Sequence, residues 1–346
     1  MIRYITLTVL ICSLSFCSQK PEKSEQSKIT EIEFDLTASD SNLVNPYQIQ
    51  LVDESLLVVN DLYQGRVGSL RKTKDLSFQG RIGKIGEGPG ELLPPVLITS
   101  GDGPVLYLYS RRNNNVLKYD AKSLTSENVE PLLEFRSKEP LDKILMLNDS
   151  SMVGLGFSSE KKRYVLVSDF GESSTLADLD YPAYPGLPAE YNPMAFQANL
   201  SLRPDQRAFV TASIFCKHFE IIETQEGKRL AKRFEFDQLD IKWVDVSNGD
   251  FKQIGYLEEH EAGFINVAST QRYIYLLYSG RKKGVFKEKA FLANTILVYD
   301  WNGELVHQFN LNVDLHDLAV SESDDYIYGL VRDREPALVR FSINSL

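Results

Sequence analysis

The chain has 346 residues, a formal net charge of −10 and 43% hydrophobic residues. Its basic residues form no extended stripe, and the triplets at 161–163 and 281–283 lie between strand-like runs, as expected of solvated hairpin turns. Nucleic acid and anionic membrane surfaces are therefore poor candidates for partners. Of the three cysteines, two lie within the first 17 residues, so no disulfide framework is expected and a hydrophobic core must stabilise the fold.

The first 16 residues predict a secretory signal peptide. Arg3 precedes an apolar run from Tyr4 to Ile11, which is too short to span a membrane. Residues 14–17 read Leu-Ser-Phe-Cys and resemble the lipobox of bacterial lipoproteins, which implies cleavage before Cys17 and acylation of that cysteine. The alternatives are a leader that is cut elsewhere and an N-terminal anchor that stays on the protein.

Residues 17–28 are polar and charged, and they predict a flexible tether between the lipid and the folded domain. No later run approaches the roughly twenty apolar residues of a transmembrane helix. The sequence therefore indicates a lipoprotein of the bacterial cell envelope, which we expect at the outer membrane, attached to it by its N-terminal lipid only. Whether it faces the periplasm or the cell surface is left open by the sequence.

From residue 29 onward, one β pattern repeats about every fifty residues. In each copy a polar loop leads into a short apolar strand, which a polar turn and a further strand follow. The six copies begin at Asp53, Asp102, Asp149, Asp205, Thr270 and Asp324. Because several strands in a repeat of this length are typical of a β-propeller, we predict an all-β, six-bladed propeller over residues 29–346. A solenoid and a pair of β sandwiches are the alternatives.

The segment before the first blade is expected to close the ring. Residues 29–36 alternate apolar and polar side chains, as a half-buried strand does. We expect this segment to pair antiparallel with a strand near residues 337–343, as the missing outer strand of the last blade. Such pairing would cover an edge that is otherwise open.

A glycine-rich loop lies between strand-like runs at residues 79–92. Gly83, Gly86, Gly88 and Gly90 permit backbone conformations that side chains forbid, and Pro89 fixes φ. The loop is not a phosphate-binding P-loop, because no Gly-Lys-Ser/Thr sequence opens a helix here. It must therefore be a sharply shaped connection that its surroundings hold in place.

We interpret this loop as a bulged connection between two blades, with Arg81 and Glu91 paired across its base. The alternative is direct ligand contact, for which Arg81 and Glu87 are the first residues to mutate. Residues 80–91 closely resemble the corresponding loop of the TolB-like six-bladed β-propeller lipoproteins of Bacteroidetes. The resemblance covers most of residues 30–346. It implies the propeller fold and a location in the cell envelope, but no specific ligand or reaction.

Two long insertions interrupt the repeats, at residues 181–193 and 238–262. They are rich in aromatic residues, and long loops on a propeller face are where ligand specificity usually resides. We therefore predict a binding module whose partner is an envelope protein or a glycan. Its expected contact residues are Tyr181, Tyr184, Tyr191, Trp243 and Tyr256. The alternative is that these loops pack back onto the propeller.

A catalytic or metal-binding set is not evident. The four histidines are scattered, there is no Gly-x-Ser-x-Gly elbow, and the run at 258–261 is expected to be solvated. Asp314, His316 and Asp317 begin the predicted innermost strand of the last blade, where only Gln48 and Asn266 of other blades add oxygen ligands for calcium. We expect no cofactor and a monomer. A metal-assisted hydrolase or lactonase acting in the propeller channel is the competing hypothesis.

Overall fold

The computed structural model describes residues 28–100, 104–124, 129–156, 162–177, 179–225, 229–332 and 335–343. The expected signal peptide, Cys17 and the tether up to residue 27 lie outside these ranges. Within them, no helix has the length and apolar character that a membrane crossing requires.

Six β sheets follow one another along the described chain as the blades of a propeller. Two strands precede them, β1 (Lys28–Ile32) and β2 (Phe34–Ala38). Blade one contains β3 (Pro46–Asp53), β4 (Leu56–Tyr63), β5 (Arg66–Lys72), β6 (Phe78–Ile85) and β7 (Glu91–Leu92). Blade two contains β8 (Val96–Ser100), β9 (Val105–Ser110), β10 (Asn115–Asp120) and β11 (Leu133–Arg136). Blade three contains β12 (Leu141–Met146), β13 (Met152–Gly156), β14 (Tyr164–Ser168) and β15 (Ser173–Leu176).

The later blades are built in the same way. Blade four contains β16 (Ala198–Leu202), β17 (Ala208–Ser213), β18 (Lys217–Gln225) and β19 (Arg229–Gln238), and a hairpin of β20 (Trp243–Asp245) and β21 (Ile254–Tyr256) follows it. Blade five contains β22 (Phe264–Ser269), β23 (Tyr273–Tyr278), β24 (Ala293–Asp300) and β25 (Leu305–Leu315). Blade six contains β26 (Asp317–Val320), β27 (Tyr326–Val331) and β28 (Ala337–Ser342). Short helical segments span Ala121–Ser123, Asp169–Gly171, Ala189–Tyr191, Asn192–Ala195, Lys283–Phe286 and Lys287–Phe291.

The core lies between neighbouring blades, and the two faces of each central strand contribute to it. In β4, Val58 packs in the cluster shared with blade two, whereas Leu57 and Val59 pack in the cluster shared with blade six. This division follows from the strand geometry, because successive side chains point to opposite faces of a sheet. The apolar runs of the six repeats therefore become central strands that are buried on both faces, and the predicted six-bladed propeller is confirmed.

The innermost strand of each blade lines a central channel. These strands are β3, β8, β12, β16, β22 and β26, and each contacts the innermost strands of both neighbouring blades. Because consecutive strands of a blade are antiparallel, the connections from the second to the third strand and from one blade to the next emerge on the same face. Both long insertions are connections between blades, and we call this side of the propeller the insertion face.

The segment expected to close the ring is divided between two blades. Phe34–Ala38 (β2) pairs antiparallel with β28 and adds a fourth strand to blade six. Lys28–Ile32 (β1), in contrast, pairs in parallel with β25 and becomes a fifth strand of blade five. The expectation that residues 29–36 form one strand of the last blade is therefore wrong for residues 29–32. The chain crosses from one blade to the next at Glu33, which belongs to neither strand.

Candidate functional site

The two insertions pack against each other and form a small core on the insertion face. Tyr181 and Tyr191 are buried in it together with Phe196 and Ile241. Tyr184 joins the insertions directly, because its hydroxyl donates to the carbonyl oxygen of Ile241 and accepts from the amide N–H of the same residue, both at 3.1 Å. The Tyr184 side chain of the first insertion is thus fixed to the main chain of the second.

Trp243 and Tyr256 of the second insertion are half-buried in the same core. The ring centroid of Trp243 lies 5.5 Å from that of Tyr191. Tyr256 stacks on Phe215 of the propeller at 4.2 Å, and its hydroxyl donates to the carbonyl oxygen of Met194 at 3.0 Å. The packing of the five rings agrees with the alternative that these loops pack back onto the propeller, and their contact with a partner stays a prediction. Large rings gain most from burial when a partner satisfies their polar end, and here they hold the insertions on the propeller.

The exposed apolar surface of the insertion face is mainly aliphatic. Of the twelve large hydrophobic side chains exposed in the described ranges, six lie between residues 244 and 286. This set, called the apolar patch below, consists of Val244, Val246, Phe251, Leu257, Val285 and Phe286. Phe251 and Val285 are the most exposed of the six, at 69% and 72%. Single exposed apolar residues are common, but half of those exposed in the described ranges fall on this insertion and the adjoining helix.

The glycine loop is closed by the side chain of Glu91. The carboxylate accepts a hydrogen bond from the amide N–H of Gly88 at 2.9 Å, and it lies so close to Gly86 that a Cβ atom there would be 2.0 Å from it. Gly90 has φ +70°, and its amide donates to Glu134 of blade two at 2.9 Å. The loop therefore ties blade one to blade two, as its interpretation as a connection predicts.

Arg81 and Glu91 do not form the expected pair, since no ion pair joins them among the described residues. The guanidinium of Arg81 is buried over the ring of Tyr63, 4.7 Å from its centroid, and donates to the carbonyl oxygen of Asn42 at 3.2 Å. Glu87 and Pro89 are exposed at the tip of the loop. The cleft beside the loop has a volume of only about 10 Å³, which has room for about one water molecule.

Gly83→Ala is expected to destabilise the protein more than Gly65→Ala. Both glycines have positive φ, +67° and +72°, where an alanine costs about 1–2 kcal/mol. Only at position 83 would the new Cβ also lie 2.9 Å from the buried side chains of Leu108 and Val67, and overpacking adds about 1–3 kcal/mol. Urea unfolding of the two variants measures the difference, and equal losses would contradict the steric explanation.

Polar and apolar groups converge on the central channel. Its volume is about 630 Å³, and all six innermost strands contribute to its lining. Gln48, Asn266, His316 and Asp317 line it, as expected from the sequence. Asp314 does not, because it lies near the end of β25 and forms a bidentate ion pair with Arg281, at 2.5 and 2.8 Å. Of the two carboxylates expected at the channel, Asp314 and Asp317, the channel is lined by Asp317 alone.

Asp317 is buried and joins blade six to blade one. One carboxylate oxygen accepts from the amide N–H of Ile49 in β3 at 2.7 Å, and the other accepts from the amide of Leu318 at the same distance. Burial raises the pKa of Asp317 to about 7, although both amides favour the ionised form. Burial also lowers the pKa of the neighbouring His316 to about 4, so this imidazole is neutral at pH 7.

A buried cluster of charged side chains lies between blades three and four. The carboxylate of Glu220 forms an ion pair with Arg163 and accepts from the hydroxyl of Tyr164 at 2.9 Å. Its other oxygen lies 3.0 Å from the ammonium of Lys232, which also contacts Glu235 at 3.0 Å. Arg163 ends the triplet at 161–163, and its complete burial corrects the expectation of a solvated turn there.

Sequence reasoning missed this cluster because its members are far apart along the chain. A local signal exists: His218 and Glu220 alternate along β18 and share one face, and Glu235 is the register partner of Glu220 on β19. These three side chains have the spacing of a metal site. Arg163 and Lys232 already neutralise the two carboxylates, however, so the arrangement fits a structural ion-pair network better than a metal centre.

Comparisons with known proteins agree with this architecture. A family model described as TolB-like 6-blade propeller-like matches residues 18–323. A solved structure of a DUF4221 family member from Bacteroides vulgatus has a TM-score of 0.56 at 9% identity, over 90% of this chain and 97% of that one. Among curated proteins, none matches the sequence.

Two further solved structures match most of this chain with lower TM-scores. The β-propeller domain of Myceliophteria thermophila Cps50 (Swd1) has a TM-score of 0.47 at 9% identity, over 90% of this chain and 99% of that domain. Chaetomium thermophilum Raptor has a TM-score of 0.48 at 11% identity, over 90% of this chain but only 28% of its own. At these identities the likeness concerns the fold alone.

Proposed function

The chain belongs to the TolB-like 6-blade propeller-like family, and we propose that it serves as a lipid-anchored binding module of the bacterial cell envelope. The anchor is the acylated Cys17, and the propeller is presented at the outer membrane on a short tether. The observation that carries the binding role is the apolar patch, which concentrates half of the exposed large hydrophobic side chains of the described chain on one insertion and the adjoining helix.

The partner that fits this surface is an envelope protein rather than a glycan. Four of the six residues in the patch are aliphatic, and aliphatic side chains offer contact area without hydrogen-bonding groups for a polyhydroxylated sugar. Tyr181 and Tyr191, whose rings and hydroxyls would suit a sugar, are buried in the core beneath. That core also supports the binding role, because packed aromatic residues hold the patch in one conformation before the partner arrives. The protein itself is a monomer in this proposal.

Capture from native membranes after brief cross-linking tests the proposal. We expect the double variant Phe251→Ser/Val285→Ser to reduce recovery of a specific envelope protein about tenfold or more, because hot-spot residues carry most of the binding energy. Both side chains are exposed, so each substitution changes the free energy of unfolding by about 0.5 kcal/mol or less. The reduction is therefore not a folding defect.

Leu132→Ser is the matched control, since Leu132 is 64% exposed on blade two, away from both insertions. It is expected to leave recovery unchanged. Equal recovery with the wild-type protein and the double variant would contradict the patch as the contact surface. Recovery of cell-wall or surface polysaccharide in place of a protein would assign the face to a glycan instead.

A further inference from the structure

The central channel has the size and lining of a small-molecule site, independently of the apolar patch. Its volume of about 630 Å³ lies within the range of about 300–1,000 Å³ that ligand pockets occupy. Polar and aliphatic residues share its wall, and the aliphatic part includes Ile144, Leu145, Ile265 and Leu318, whose side chains pack mainly between the blades. Such sites commonly fix an apolar ligand with a few polar groups.

Lys143 is the charged group of this wall that lacks a protein partner. Its side chain lines the channel, and among the described residues no hydrogen bond or ion pair satisfies the ammonium group. The neighbouring carboxylate of Asp142 is engaged elsewhere, in an ion pair with Arg111. The register of β12 shifts between Leu141 and Lys143, and a bulge of this kind turns a side chain to a new direction.

The other ionisable groups of the channel do not neutralise Lys143 by contact. Both carboxylate oxygens of Asp317 accept backbone amides, and no ion pair joins Asp317 to Lys143 in the described ranges. His316 is neutral at pH 7. Asp53 and Glu322 lie at the ends of the innermost strands away from the insertion face. Enclosure lowers the pKa of Lys143, as expected of an ammonium group that has lost water without gaining an anion.

We propose that the central channel binds a small organic carboxylate, whose charged head is held by the ammonium group of Lys143 and whose apolar body lies on the aliphatic wall. An anion in contact with Lys143 supplies the missing partner, and a charge-assisted hydrogen bond away from bulk water is stronger than the same bond at the surface. The carboxylates of Asp53 and Glu322 repel such a ligand from the opposite end, and this orients it along the channel.

Hexanoate, its neutral isostere hexanamide and inorganic phosphate are the probes that test this site. With the purified full-length protein, hexanoate is expected to raise the melting temperature in a dose-dependent way, because a ligand that binds only the folded state stabilises it. Hexanamide and phosphate are expected to produce a much smaller shift, since the former lacks the charge and the latter lacks the apolar body. This comparison needs no variant.

Variants of Lys143 then test whether its ammonium group holds the carboxylate of the ligand. Isothermal titration with hexanoate is expected to show about tenfold or greater loss of affinity in Lys143→Met, and retention of binding in Lys143→Arg, which keeps the charge. Lys138→Met, at an exposed lysine that pairs with Glu172, is the matched control and is expected to bind as the wild type does. Three results would each overturn the proposal: no shift with hexanoate, an equal shift with phosphate, or wild-type affinity in Lys143→Met.

Discussion

We expect Glu220→Gln to lower the free energy of unfolding by about 3–5 kcal/mol. The substitution keeps the shape of the side chain but removes the negative charge that faces Arg163 and Lys232. Arg163 is completely buried, so its guanidinium then remains in the core with no opposite charge in contact. Removing one charge of a buried ion pair costs more stability than replacing both residues by apolar ones, because an uncompensated charge stays in the core.

Glu223→Gln provides the matched control on the same strand. Glu223 pairs with Arg233 at 2.7 Å, and both side chains are more than 40% exposed. Because exposed pairs contribute little, its loss is expected to change the free energy of unfolding by about 1 kcal/mol or less. Equilibrium unfolding in urea, followed by tryptophan fluorescence, measures both variants. A loss at position 220 no larger than that at position 223 would show that the buried network is not needed for stability.

The difference in the free energy of unfolding between the wild type and Glu220→Gln is expected to depend on pH. Burial alone would raise the pKa of Glu220, but Arg163, His218 and Lys232 together outweigh it and hold that pKa below its ordinary value. The unfolded chain therefore binds a proton at this residue before the folded chain does, and stability from Glu220 is present above about pH 4.3 and lost as the pH falls further. The wild type and Glu220→Gln are accordingly expected to converge in strongly acidic solution. A constant difference at every pH would contradict this explanation.

The propeller could be predicted from the sequence because each blade repeats a local pattern. Apolar runs after polar loops, as at residues 53–60 and 324–330, are sufficient to indicate strands, and their number indicates the blades. The course of the first strands could not be predicted in the same way. Apolar and polar residues alternate from Ile32 to Leu36, across the point where the strand changes blade, and alternation specifies which side chains are buried but not which neighbour the strand pairs with. The crossing at Glu33 is decided by the two blades that flank it.

The candidate site was harder to predict, because irregular segments carry no periodic signal. Tyr181 and Tyr191 are of a residue type that is common in contact surfaces, yet both are buried. The exposed patch instead includes Val244 and Val285, which nothing in the sequence distinguishes from other valines. Lys143 likewise resembles any lysine at a strand end until the channel around it is known. In each case the decisive fact is which side of a loop or strand faces solvent, and tertiary packing determines it.

Removal of β2 is expected to destabilise the domain more than removal of β1. Without Phe34–Ala38, blade six has three strands, an open edge along β28 and no partner for the ring of Phe341, which Phe34 contacts at 6.3 Å. The bidentate contact of Arg340 with Asp35, at 2.7 and 3.2 Å, is lost as well. From the burial of the side chains that face the core, the loss is about 3–5 kcal/mol.

Three truncations separate the contributions of the two strands. A chain that begins at residue 28 retains both, and we expect it to be as stable as the longer protein. A chain that begins at residue 34 lacks only β1, and since blade five then still has four strands, we expect a loss of about 1–2 kcal/mol from Ile32 and the backbone pairing. A chain that begins at residue 39 lacks both strands and is expected to unfold at much lower urea concentration. It should also associate through the exposed edge.

The order of these losses distinguishes two ways of closing the ring. If β2 alone joins the last blade to the rest of the fold, most of the loss appears between the chains that begin at residues 34 and 39. If the parallel pairing of β1 with β25 contributes as much, the loss divides equally between the two steps. Blade five is complete without β1, whereas blade six is not complete without β2, so the first result is the one we expect. Equal steps would mean that β1 holds blades five and six together rather than merely covering an edge.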